Sequence, residues 1–127
     1  MAYADNTPRT VAEMAPRFPI TLAGTVEMGD LLGYSSGWVQ ADADAGITAQ
    51  LIALEAGDSG DVINVTAVAI VSSVSDATPG DTAYLSTTAG AIAATDPGDS
   101  NTQEVGVFLS ATSVLLAPLF YTIPVLD

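Results

Sequence analysis

The chain has 127 residues, 49% of them apolar, with 15 acids against two cations and a net charge of −13, a composition that suits one packed domain. It has no cysteine, histidine or lysine, which excludes disulfides, thiolate or imidazole metal sites, the commonest general base and lysine-based chemistry. Both cations, Arg9 and Arg17, fall where Asp5 and Glu13 balance them, so residues 18–127 hold the whole −13 without one Lys or Arg.

Such a body repels nucleic-acid phosphates and anionic membranes, and it must rest on apolar burial and backbone hydrogen bonds. No basic stretch leads into an apolar one as a secretory signal would. The most apolar interior run, residues 62–71, is about half the length of a membrane-spanning helix. The expected partners therefore include neither nucleic acid nor membrane.

Residues 1–20 read as an extended N-terminal arm, with Pro8, Pro16, Pro19 and both arginines. Thr10 and Glu13 have the spacing of a capping box, which predicts one helical turn over 10–14 that the prolines keep short. Residues 21–127 read as a single β domain. Strands are predicted at 22–28, 31–34 and 38–41, separated by turns at Gly29-Asp30 and Ser35-Ser36-Gly37, with Trp38 capping one end of the core.

Residues 41–56 are ambiguous. Ile47, Leu51 and Leu54 suit a helical face ended by Gly57, whereas 50–55 also suits a strand, which the β neighbours favour. Asp42 and Asp44 resemble the opening of a calcium loop, but Glu55 comes too late for the bidentate position, so a solvated loop is expected. Residues 61–75 form the strongest strand, with Ile63, Val65, Ala67, Ala69 and Val71 on one face and a second face that turns apolar at Val68 and Ile70.

Residues 78–117 read as a turn at Pro79-Gly80-Asp81 followed by three strands, 82–86, 91–94 and 103–109, joined by a turn at Ala89-Gly90 and the looser 96–101. Gly29-Asp30, Gly60-Asp61 and Gly80-Asp81 each precede a strand at unequal spacings, which is recurrent turn chemistry and not a solenoid. The apolar end, residues 114–127 with Pro118 and Pro124, is expected as an edge strand or tail needing cover from the body or another subunit. The fold class is thus all-β: a small β-barrel or β-sandwich of short antiparallel strands.

Over roughly residues 24–118 the sequence resembles a family of small tailed-phage capsid decoration, or head cement, proteins once known only as a domain of unknown function. The resemblance rests on Gly29-Asp30-Leu31, Ala56-Gly57-Asp58, Gly60-Asp61-Val62-Ile63-Asn64-Val65, Pro79-Gly80-Asp81-Thr82-Ala83-Tyr84-Leu85-Ser86, Ala89-Gly90 and Val105-Gly106-Val107, in that order. It implies a β body on the exterior of the virion head, usually a homotrimer, bound to the major capsid protein after the shell expands. The expected function is structural and not enzymatic, without cofactor or metal. The candidate capsid or subunit contacts are Arg9, Arg17 and Phe18 in the arm, and Leu119, Phe120, Tyr121 and Ile123 in the tail.

Two other functions compete. A receptor- or glycan-binding β module of a phage fibre or bacterial surface protein would use exposed Tyr and Trp beside carboxylates. A glycosidase would need two carboxylates at fixed separation, but nearly all the aspartates sit in Gly-rich turns, where side-chain to backbone bonding accounts for them.

Overall fold

The structure is a computed structural model that describes residues 10–72, 74, 77–98 and 102–122, with the backbone alone at 121 and 122. Its described strands are β1 (Val11–Glu13), β2 (Phe18–Thr21), β3 (Leu31–Tyr34), β4 (Trp38–Gln40), β5 (Leu51–Ala53), β6 (Val62–Thr66), β7 (Ala69–Ser72), β8 (Thr82–Leu85), β9 (Ile92–Ala93), β10 (Glu104–Ser110) and β11 (Ser113–Leu116), followed by a short helix α1 (Pro118–Thr122). The all-β class holds.

Two antiparallel sheets form, ordered β1-β7-β11-β10-β8-β9 and β2-β6-β5-β3-β4. The five-stranded sheet curls until its edges meet. Leu22, just beyond β2, bridges Trp38 in β4, and the Ala23 N–H donates to the Trp38 carbonyl at 2.8 Å. Barrel and sandwich features are therefore combined.

The main core lies between the sheets, where Leu31 and Ile52 meet Val71, Leu85, Ile92, Phe108, Val114 and Leu116. A second cluster, Leu22, Val26, Leu32, Leu51, Ala53, Ile63 and Val65, fills the curled sheet. Period-two alternation explains the pairing of cores: Leu31 and Leu32 point to opposite faces, and both faces are apolar.

The predicted strand 61–75 is broken at Ala67-Val68 into β6 and β7, one in each sheet. This corner explains the two apolar faces, since a strand that changes sheets changes the side it buries. The arm follows the same corner. β1 pairs with β7 (Ala12 opposite Ile70) and β2 with β6 (Ile20 opposite Ile63), and Pro16 falls in the bend between them. The arm is extended from Thr10 onward, but as the edge strand of both sheets.

Three expectations change. Residues 10–14 are not helical: Thr10 instead exchanges hydrogen bonds with Ser72, N–H to Oγ at 3.0 Å and Ser72 N–H to carbonyl at 3.0 Å. The stretch between Pro8 and Pro16 is too short to nucleate a helix when a strand edge is on offer. Residues 22–28 make isolated bridges at Leu22 and Val26 and no regular strand, because this segment spans from the barrel seam to the Gly57 loop. Residues 41–56 contain no helix, in line with the favoured strand reading; Asp42 and Ile47 close a turn, and the strand is the short β5. The C-terminal segment is not an edge strand, since β11 lies between β7 and β10. Pro118 then opens α1, a position where its missing N–H costs nothing.

The Gly-Asp pairs share one geometry. Gly29, Gly60 and Gly80 have φ of 89°, 94° and 91°. Asp30, Asp61 and Asp81 donate their N–H groups to the carbonyls of Glu27, Asp58 and Thr78 at 2.9–3.1 Å, which makes each a type II turn. Each Gly-Asp pair also opposes one residue: Gly29 N–H to Ala53 carbonyl with Ala53 N–H to Asp30 carbonyl, and likewise around Leu22 and Phe108. That is a glycine bulge, used three times to turn a strand and tighten its twist.

Candidate interaction surface

Of the seven predicted contacts, Arg9 and Ile123 lie outside the described residues, and Tyr121 is placed by its backbone alone, in α1. Of the other four, Arg17, Phe18 and Phe120 are exposed, and Leu119 is half-buried. Arg17 is 59% exposed and pairs with Glu13, whose Oε1 accepts from Nη2 at 2.7 Å and Nε at 3.1 Å. That hydrogen bond, then the charge of the same carboxylate and more weakly that of Glu55, hold the guanidinium above its ordinary range. Arg17 is therefore charged at any working pH, but solvent screens the pair and its stabilising effect is small.

Phe18 begins β2 and is 41% exposed, while Ile20, two residues on and on the same face, packs against the barrel cluster. Leu119 in α1 packs against that same cluster, and its neighbour Phe120 is 65% exposed. The fold thus brings the two ends of the chain, about 100 residues apart, onto one apolar cluster. Each end leaves an aromatic ring in solvent beside a residue that anchors it.

A third exposed aromatic was not singled out from the sequence. Tyr34, at the end of β3, is 63% exposed and meets Trp38 edge to face, with ring centroids 5.3 Å apart and planes at 81°. Trp38 also packs against the barrel cluster, in keeping with its predicted capping role. The available signal was the three-residue turn between two aromatic residues, which places them opposite one another on a hairpin.

The polar side chains are occupied with structure. Buried Asp30 accepts from the Glu27 N–H at 2.8 Å and from Gln40 Nε2 at 2.7 Å. Gln103 clasps the Ala49 backbone, its Oε1 accepting from the N–H at 2.8 Å and its Nε2 donating to the carbonyl at 2.9 Å. The Asp42-Asp44 loop is an Asx turn, the Asp44 N–H donating to Asp42 Oδ1 at 2.9 Å. Among the described residues no three carboxylates cluster as a metal site would require. Compared with protein-family models, curated proteins and solved structures, the chain matches none.

Proposed function

We propose that the chain is a structural virion protein: a decoration or cement protein that binds the outer surface of a phage capsid and stabilises capsomer junctions. Its partners would be the major capsid protein and two further copies of itself, as the family resemblance implies. The observation that supports this reading most is the convergence of arm and tail on one cluster, with Phe18 and Phe120 exposed beside it. A clip between capsomers needs apolar anchors on a rigid body, and aromatic rings near a packed support are the usual hot spots of such contacts. The motif residues behind the resemblance also have defined places: Pro79-Gly80-Asp81 and Ala89-Gly90 are turns flanking β8, and Val105-Gly106-Val107 lies in β10.

The test is binding of the purified protein to expanded heads that lack it, scored by occupancy in electron cryomicroscopy. The wild type should decorate the shell and raise its disruption temperature. Phe18→Ser with Phe120→Ser should fold normally and lose at least about tenfold in affinity, since each buried aromatic anchor is a candidate hot spot. Full occupancy by the double variant would remove the two ends as contacts. Failure of the wild type to bind any capsid surface would remove the function.

A further inference from the structure

We infer that the Tyr34–Trp38 hairpin tip is a recognition site for a cationic side chain, arginine above all, presented by the partner surface. The inference deepens the capsid-binding reading and rests on it for the partner, though not for the chemistry.

The tip is built to hold its rings still. The Tyr34 N–H donates to Gln50 Oε1 at 3.3 Å. Trp38 is fixed by its bridge to Leu22 and by packing on the barrel cluster. Gly37 is seated so tightly that a Cβ there would lie 2.4 Å from that of Ala23. Ser36, between them, has φ of 58°, the one non-glycine with positive φ among the described residues, and strain of that kind persists where the surroundings impose it. The result is an exposed tyrosine ring braced edge to face by a half-buried tryptophan, so that a contact there costs little conformational entropy.

Charge decides what such a surface takes. Leu22 is flanked on one side by Trp38 and on the other by Gly60 and Asp61, exchanging backbone hydrogen bonds of 2.8 Å with the latter pair. Two strand spacings therefore separate Trp38 from Asp61, about 10 Å between backbones. Asp61 is exposed, as is Asp58, whose N–H donates to Asp61 Oδ2 at 2.8 Å. A guanidinium stacked on an aromatic face gains from the ring quadrupole, and an acidic body with carboxylates about two strand spacings away adds an attraction at longer range. Nothing in residues 18–127 competes for that place, because the segment has no Lys or Arg. A neutral sugar would use the ring but gain nothing from the net charge of −13.

The test is an NMR titration of the full-length isotope-labelled protein with an acetylated Gly-Arg-Gly-Arg-Gly peptide and its citrulline isostere, which keeps the shape and loses the charge. The arginine peptide should shift the Tyr34 ring and Trp38 indole resonances saturably, and the citrulline peptide should bind about three- to fivefold more weakly or less. Tyr34→Leu should abolish the effect at Trp38, and Tyr34→Phe should retain it; unchanged dispersion elsewhere in the spectrum shows that each variant is folded. Equal binding of the two peptides, shifts spread over the carboxylates without a ring response, or saturable shifts with neutral oligosaccharides in place of arginine would overturn the inference. Head binding separates it from the function. If Tyr34→Leu decorates heads like the wild type and the peptide gives no ring response, the site falls and the capsid reading stands. If the wild type ignores heads yet takes the arginine peptide at Tyr34, the site stands and the capsid reading falls.

Discussion

At the scale of single residues, the glycines divide into those that serve a backbone angle and those that serve close packing. Gly60 has φ of 94° with open space around its missing Cβ, so alanine there meets only the left-handed penalty, about 1–2 kcal/mol. Gly90 has φ of 78° and also touches buried Asp30, whose Cγ would lie 2.8 Å from a new Cβ. Alanine there disturbs both the turn and the hydrogen bonds that Asp30 accepts, so its cost should exceed that at Gly60 by about 1 kcal/mol or more. Gly106 has ordinary backbone angles, but its Cβ would meet the Leu115 carbonyl oxygen at 2.0 Å. Backbone cannot swing aside as a side chain can, so Gly106→Ala should cost about 3 kcal/mol or more. Urea denaturation of the three alanine variants should rank them Gly60, Gly90, Gly106 in increasing damage. Reversal of the first and last would mean that torsion, not contact, governs these sites.

At the scale of elements, the arm is where sequence and structure part most usefully. Removing residues 1–9 takes away Arg9 and leaves β1 and β2 in place. Removing residues 1–21 strips the edge strand from both sheets and takes Val11 and Ile20 from the cores they pack against. Two half-buried aliphatic side chains and about eight ladder hydrogen bonds make this a loss of several kcal/mol, comparable to the whole stability of a domain this size. By circular dichroism the longer deletion should lose cooperative unfolding. A longer deletion that unfolds cooperatively near the wild-type midpoint would restore the arm as a separable appendage. The sequence showed the extended character of this segment through its prolines, but not its partner, since strand pairing is a long-range choice that local pattern does not encode. The turns were legible for the opposite reason: Gly29-Asp30, Gly60-Asp61 and Gly80-Asp81 act within four residues. Leu51 and Ile52 hid the double core because adjacent apolar residues have no period. The rings at Phe18 and Phe120 could be proposed from their place in the chain, whereas the Tyr34–Trp38 contact had to be read through the turn between them, which sets them opposite one another.

At the scale of the whole molecule, the dominant fact is a net charge of −13 without a cation beyond Arg17. Folding gathers these charges into a smaller volume, so self-repulsion opposes the native state. Screening relieves it, and most of the relief should come as the Debye length falls from about 30 Å at 10 mM salt to about 8 Å at 150 mM. The melting temperature should therefore rise with sodium chloride over that range and flatten above it. Asp44 offers a local check, since it is exposed and near Asp42 in the same turn. Its own N–H, not its carboxylate, makes the Asx bond to Asp42, so Asp44→Lys keeps the turn while removing one negative charge and adding a positive one. The variant should be more stable than the wild type by up to about 1 kcal/mol at 10 mM salt, as expected for exposed pairs. At 500 mM the gain should largely vanish. A gain that persists at high salt would point to a change in loop conformation, and a wild-type midpoint indifferent to salt would show that the acids are too far apart to oppose folding.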